Sequence, residues 1–259
     1  MCLLLFSYRI HPDYRLIVAA NRDEFYARPT AALDYWSDHP DVLAGKDLKS
    51  NGTWLGVTRS GRLAAVTNYR EPTAHIENAP SRGRLIGDFL TGNALPQRYL
   101  KAVSKISNAY NGFNLIAGDP AGLYYYSNRA PHVRQLQPGF YGISNHLIDT
   151  PWPKIKKGKA LLQGQLCGRE KIDIEKIWKS LSERALPADK DLPDTGVGLE
   201  WERILAPLFI SSPDYGTRSS SIILMEYSGR TTVMERTFSN PANASAEGET
   251  VMYSFNIRN

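Results

Sequence analysis

Cys2-Leu3-Leu4-Leu5-Phe6 and, beyond a turn at His11-Pro12-Asp13, Arg15-Leu16-Ile17-Val18-Ala19-Ala20-Asn21-Arg22-Asp23-Glu24 are the stretches that decide the fold. Apolar runs of this length bounded by turn residues read as strands buried on both faces. The Pro-Asp pair marks the turn of a hairpin between them. If the hairpin is centred near residues 11 and 12, opposed positions sum to about 23, which sets Cys2 across from Asn21 with side chains within about 5 Å. On this reading the second strand ends at Ala20. The polar quartet Asn21-Arg22-Asp23-Glu24 then lands on Cys2.

A cysteine directly after the initiator methionine is small enough for the usual removal of Met1. The chain would then carry a thiol and a free α-amine on one residue, a nucleophile with its own base. A thiol has a pKa of about 8.5 and an α-amine one of about 8, so a nearby guanidinium is expected to favour the thiolate and a carboxylate to orient the amine. The competing reading makes Cys2 a small apolar residue at a strand end. In that reading Arg22 pairs with Asp23 or Glu24 as a salt bridge that caps the strand. Arg22 and Asp23 are adjacent, and adjacent strand residues face opposite ways. Both reach Cys2 only if the strand ends or bulges there.

Composition narrows the class. At 259 residues, 42% hydrophobic and 22% charged, the chain can bury a sizeable core, and one domain over 1–259 is expected. Two cysteines, Cys2 and Cys167, give no disulfide framework and fit a reducing, cytoplasmic setting. The apolar start is too short for a signal peptide or a membrane span. The +5 charge is spread along the chain, and only Lys154-Ile155-Lys156-Lys157-Gly158-Lys159 resembles a basic stripe. That run reads as the solvated side of a helix, so nucleic acid is not an expected partner. His11, His39, His75, His132 and His146 lack metal-ligand spacing, and there is no phosphate-binding glycine loop. Neither a metal nor a cofactor is expected.

Along the rest of the chain, Thr53–Thr58 and Leu63–Asn68 flank Ser60-Gly61 as a second hairpin. Helices follow around Leu85 to Leu90, behind a Ser81 cap, and Tyr99 to Ile106. Strands return at Phe113–Ala117, Leu123–Tyr126 and Phe140–Ile143, and Tyr124 to Tyr126 read as strand packing. A second helical block covers roughly 153 to 185, with Asp173 as a cap. Final strands span Ser219–Met225, Thr231–Thr237 and Val251–Ile257, after a loop at Pro187–Gly198 and around a polar loop at Asn240–Glu249. Strands, a helix pair, strands, another helix pair and final strands make a segregated α+β protein, two sheets sandwiched by helices.

Met1-Cys2-Leu3-Leu4 and Ala19-Ala20-Asn21-Arg22-Asp23-Glu24-Phe25-Tyr26-Ala27-Arg28-Pro29-Thr30 resemble the signature of the NRDE family, which is related to transport and Golgi organization protein 2 of eukaryotes. Further matching segments are Gly52–Val57, Ala65–Arg70, Tyr110–Leu115, Gly142–Asn145, Asp149–Lys154 and Tyr215–Ser220. Together they span nearly the whole chain. The family is in turn similar to the cholylglycine hydrolase and penicillin V acylase branch of N-terminal nucleophile hydrolases. That resemblance implies an αββα four-layer sandwich and a linear-amide hydrolase with Cys2 as nucleophile and Arg22 and Asp23 beside it. It also implies Asn68 and Asn145 as oxyanion donors and Arg218 as a second guanidinium. Those hydrolases separate the Arg and Asp, whereas here they adjoin, so Asn21 competes with Asp23, and Glu24 is a further candidate. On residue chemistry alone, Asn68 and Asn145 equally suit turn roles, and Arg218 a surface or loop-pairing role. The expected ligand is a small-molecule amide. The alternative is a non-catalytic binding or trafficking protein for haem or an acyl lipid on the same scaffold, since fold does not dictate function.

Overall fold

The computed structural model describes residues 2–167, 171–238 and 249–258. In chain order the elements are β1 (Cys2–Tyr8), β2 (Tyr14–Phe25), β3 (Thr30–Tyr35), β4 (Val42–Asp47), β5 (Leu55–Thr58), β6 (Leu63–Asn68), α1 (Arg82–Thr91), α2 (Pro96–Ile106), β7 (Phe113–Gly118), β8 (Leu123–Ser127), β9 (Arg134–Gln135) and β10 (Gly139–Ile143). They continue with α3 (Pro153–Leu166), α4 (Ile174–Leu181), α5 (Leu199–Leu205), β11 (Tyr215–Glu226), β12 (Arg230–Thr237) and β13 (Thr250–Asn256). The strands form a six-stranded sheet of order β10-β1-β2-β11-β12-β13 and a seven-stranded sheet running β3 to β9 in sequence order.

Two compact units result. One holds the chain through Ala27 with Pro138–Ser144 and Ile148–Ser254; the other holds Arg28–Gln137, Asn145–Leu147 and the end from Phe255. In the first unit, α3 and α4 press Ile155, Leu162, Leu166, Ile177, Trp178 and Leu181 onto Leu3, Leu5, Ile17, Ala19, Ile222 and Leu224 of the sheet. Helix α3 lies so close to β1 that a Cβ at Gly158 would meet Leu5 Cδ1 at 2.6 Å. In the second unit, Leu85, Ile86, Phe89 and Leu90 of α1 and Leu100 and Val103 of α2 cover Val42, Ala64, Val66, Phe113 and Leu115. Each large apolar side chain buried this way contributes about 1.5–3 kcal/mol.

The anticipated helices form, and Asp173 caps α4 by accepting from Lys176 N at 3.2 Å. Ser81 occupies the cap position of α1 without a side-chain hydrogen bond to it. Four elements have no counterpart in the sequence reading: β3, β4, the two-residue β9 and α5. Strand β3 fully buries only Leu33, β4 carries Gly45 and Lys46, and α5 has only seven residues, so none presents enough periodicity to stand out. The polar loop at Asn240–Glu249, apart from Glu249, lies outside the described residues, as does Met1.

The largest difference concerns β2. It does not stop at Ala20 but runs through the polar quartet to Phe25. It can do so because β1 pairs with it as far as Arg22 and β11 as far as Phe25. Its backbone groups are thus satisfied by neighbours on both sides.

Candidate active site

The hairpin register is one residue away from the expected one: Cys2 opposes Arg22, and Leu3 opposes Asn21. In a pleated sheet a one-residue slip exchanges faces. Leu3, Leu5, Ile17 and Ala19 point to the helix side, so Asn21 and Asp23 share that side, while Cys2 and Arg22 lie together on the other. The quartet therefore divides between two surfaces of one strand.

On the helix side Asn21 is fully engaged. Its Nδ2 donates to Leu181 O at 2.9 Å and Leu208 O at 2.8 Å, and its Oδ1 accepts from Ser220 Oγ at 2.6 Å. It is the polar stitch between β2, β11, the end of α4 and the Leu208 segment. Asp23, only 1% exposed, accepts from Thr217 Oγ1 at 2.7 Å, and Thr217 Oγ1 in turn accepts from Ile210 N at 2.9 Å. Glu24 is half-buried and accepts from Phe25 N at 3.0 Å.

The bulge that the adjacent Arg and Asp call for lies on the neighbouring strand. Between β2 and β11 the pairing steps from Asp23↔Thr217 to Arg22↔Ser219, which leaves Arg218 as the extra residue. A bulge re-aims the side chain it carries. Arg218 Nη1 donates to Phe25 O and Tyr26 O, each at 3.0 Å. Burial and the like charge of Arg22 hold the Arg218 guanidinium below its ordinary pKa, against the pull of Glu24. Arg22 and Arg218 are thus electrostatic neighbours on the stretch of sheet that carries Cys2.

The cysteine is partly exposed, yet its thiol is surrounded closely enough that burial pushes its pKa up. Asp23 adds to that rise, while Arg22 and the backbone N–H of Asp23 oppose it. Desolvation therefore outweighs the guanidinium, contrary to the expected thiolate. A neutral thiol of this kind needs a base before it can attack. Burial also pushes the Asp23 carboxyl up, with Lys154, Thr217 and Arg22 working against it.

That shift has a testable sign. A carboxyl whose folded pKa exceeds its unfolded value of about 3.9 contributes stability below that pH and loses it as pH rises through the folded value. Asp23→Asn removes this dependence, so the stability of the variant relative to the parent is expected to increase from pH 4 toward pH 7. Urea melts at the two pH values check it; a difference that stays flat or falls refutes the shift.

In the second unit, Asn68 ends β6 half-buried and Asn145 is 1% exposed. Asn145 Nδ2 donates to Asn68 O at 3.0 Å, and Arg70 N donates back to Asn145 O at 2.8 Å. The flanking residues are tied as well: Tyr69 Oη and His146 Nε2 are 2.6 Å apart, and Asn114 Nδ2 donates to His146 O at 2.9 Å. The two asparagines thus form one locked pair. Tyr125 and Tyr126 are buried, with Tyr125 Oη donating to Asn114 Oδ1 at 2.8 Å.

Two residues escaped the sequence reading. Thr217 was visible only as part of the Tyr215–Ser220 segment. Lys154 was assigned to a solvated face, but it is 4% exposed and donates from Nζ to Leu205 O at 2.8 Å. Its neighbours Lys156, Lys157 and Lys159 do reach the surface, and the last two pair with Glu183 and Asp149. Its place in the first turn, directly after Pro153, was the available signal.

A family model described as Transport and Golgi organisation 2 matches residues 1–240. Among curated relatives, a Transport and Golgi organization protein 2 homolog of Bos taurus is 40% identical, covering 91% of this chain and 92% of that protein. The Homo sapiens homolog is 38% identical with the same coverages, and the Mus musculus homolog is 35% identical over the full length of both chains. Among solved structures, the Caenorhabditis elegans ortholog of N-acylethanolamine-hydrolyzing acid amidase aligns with a TM-score of 0.53 at 14% identity, over 86% of this chain and 92% of that one. A variant of conjugated bile acid hydrolase from Clostridium perfringens aligns with a TM-score of 0.53 at 11% identity, over 99% of this chain and 98% of that one. The fold is α+β, of the αββα N-terminal nucleophile hydrolase type.

Proposed function

Since the chain belongs to the Transport and Golgi organisation 2 family and has the fold of N-terminal cysteine amidohydrolases, we propose that it is itself a cofactor-independent amidohydrolase. It would act on a linear carbon–nitrogen amide of a small molecule as a single domain over 1–259. The observation that carries this reading is the direct opposition of Cys2 and Arg22, beside a bulge that delivers Arg218 to the same stretch.

With Met1 removed, the α-amine of Cys2 takes the thiol proton and the thiolate attacks the amide carbonyl. The carbon–nitrogen bond breaks and the departing amine receives the proton. Water then cleaves the thioester, releasing the acid and restoring the thiol. Asp23 orients the amine, and Arg22 and Arg218 offset the charge that develops. Asn68 and Asn145 take the oxyanion roles that the resemblance implies, where one such donor contributes about 3–4 kcal/mol to the barrier. No helix among the described residues is long and apolar enough to cross a membrane. The cytoplasmic setting is part of the proposal and rests on the sparse cysteines.

Intact-mass measurement of the purified protein, with and without a thiol-reactive acyl probe, tests the mechanism. The expected result is a chain lacking Met1 that gains one acyl group, and no gain in Cys2→Ala. Met1 retained on protein that turns over an amide would end this mechanism. The relatives' printed names speak of transport and Golgi organization and favour a second reading, a non-catalytic binding or trafficking protein, for which haem or an acyl lipid is the proposed ligand. A Soret shift on haem titration, unchanged by Cys2→Ala and accompanied by no acylation, selects that reading instead.

A further inference from the structure

After the bulge at Arg218, β11 carries three serines in succession, Ser219, Ser220 and Ser221. Ser220 Oγ, on the helix side, donates to Asn21 Oδ1 at 2.6 Å. Ser221 Oγ, on the other side, donates to Glu235 Oε2 at 3.3 Å. Ser219 is only 4% exposed, yet its Oγ has no hydrogen-bond partner among the described residues. Burying a hydroxyl without a partner is unfavourable, and folded proteins seldom leave one so without a use.

The place of Ser219 in the sheet points to that use. Ile222 and Leu224 of β11 pack on the helix side, so strand alternation puts Ser219 on the opposite face, with Cys2 and Arg22. The pairings Cys2↔Arg22 and Arg22↔Ser219 set the three residues in one row across β1, β2 and β11. At about 4.8 Å per strand, Ser219 stands roughly 10 Å from Cys2 along that row. Arg22, 5% exposed, lies between them, and a guanidinium offers donors only. Arg218, the bulged neighbour of Ser219, adds a second positive charge. Two carboxylates lie in other rows, Glu235 opposite Ser221 and Glu24 opposite Gly216. A hydroxyl beside a guanidinium suits an oxygen anion, which takes a hydrogen bond from each.

We infer that Ser219 Oγ, with the Arg22 guanidinium beside it, binds a carboxylate of the substrate, set a few bonds from the carbon that Cys2 attacks. The inference rests on the reading of Cys2 as the reactive group and gives its substrate a class, an amide that also bears a carboxylate. Ser219 holds that group and takes no part in breaking the carbon–nitrogen bond.

Two alkylating probes of matched shape test this in full-length protein carrying Cys167→Ser, which leaves Cys2 as the one thiol. N-iodoacetylglycine extends a carboxylate away from the attacked carbon; N-isobutyl iodoacetamide puts two methyl groups in place of the carboxylate oxygens. The ratio of their second-order rate constants cancels any change in the ionisation of the thiol. Relative to free cysteine, the parent is expected to favour the carboxylate by about tenfold or more, the scale of one hydrogen bond to a charged group. Ser219→Ala should lose most of that preference and become more stable, its unfolding equilibrium constant in urea falling about fivefold as the unmatched hydroxyl is removed. Ser220→Ala, which deletes a partnered hydroxyl on the helix side, should do the reverse, unfolding more readily while keeping the preference. A parent without the preference, a preference untouched by Ser219→Ala, or one lost equally in Ser220→Ala overturns the proposal. So does a Ser219→Ala protein less stable than the parent, since the hydroxyl is then already bonded within the fold. Alkylation proceeds whether or not any amide is cleaved, so failure here is distinct from failure of the hydrolase reading.

Discussion

Cys2→Ala is expected to lose amide turnover by on the order of 10⁶-fold, as removal of a covalent nucleophile does, while melting within about 3 °C of the parent. The two halves of this expectation have separate causes. The activity loss follows from the absence of any other thiol near the Arg22–Arg218 stretch: Cys167 lies beyond the end of α3 and is exposed. The retained stability follows from where Cys2 sits. It is the first residue of β1 and partly exposed, and the strand is held by Leu3, Leu4, Leu5 and Phe6, each no more than 5% exposed. Truncating one sulfur at the frayed end removes little packing. Cys2→Ser keeps the α-amine and a hydroxyl but exchanges the sulfur for a weaker nucleophile, and a loss of at least about 10³-fold is expected. Turnover of an acyl-amide panel, measured alongside thermal melts, checks both. A Cys2→Ala protein that still hydrolyses its amide places the chemistry elsewhere.

The positions that decide this chemistry were legible to different depths. Apolar runs gave away β1 and β2, because a strand buried on both faces has almost no other way to look. The helix pairs were equally plain, since Leu85 to Leu90 and Ile174 to Leu181 keep helical spacing over several turns. The register was not legible to one residue. His11-Pro12-Asp13 locates the turn but not its geometry, and the difference between a pairing sum of about 23 and one of about 24 moves Asn21 and Arg22 to opposite faces. Nor could the extent of β2 be read, because polar residues within a strand look like its end until their partners are known. Leu181 O, Leu208 O, Ser220 and Thr217 come from sequence-distant segments. The bulge at Arg218 belongs to the same class: it arises from how β11 meets β2, and no local signal in Tyr215–Ser220 announces it. Lys154 failed for a different reason. A basic run was averaged into one solvated face, although helical geometry puts Lys156, two residues on, on a different side from Lys154.

Asn21→Leu is expected to cost about 3–5 kcal/mol, which in a chain of this size lowers the melting temperature by roughly 10 °C. Leucine has nearly the same volume, so the effect is one of polar satisfaction rather than of a cavity. Two buried carbonyls, Leu181 O and Leu208 O, lose the donor they share, and the Ser220 hydroxyl loses its acceptor. Each buried group left without a partner costs about 1–3 kcal/mol, and local relaxation keeps the total below the sum. The same substitution should leave the pH midpoint of Cys2 alkylation where it is, because Asn21 carries no charge and spends its amide on Leu181 O, Leu208 O and Ser220. Asp23→Asn should do the reverse, shifting the thiol midpoint, since the Asp23 charge is one of those that raise it. Run together, the two variants settle which neighbour of Arg22 serves the reactive end of β1. If Asn21→Leu melts like the parent and moves the alkylation midpoint, Asn21 is that residue, and the assignment of Asp23 to the amine falls.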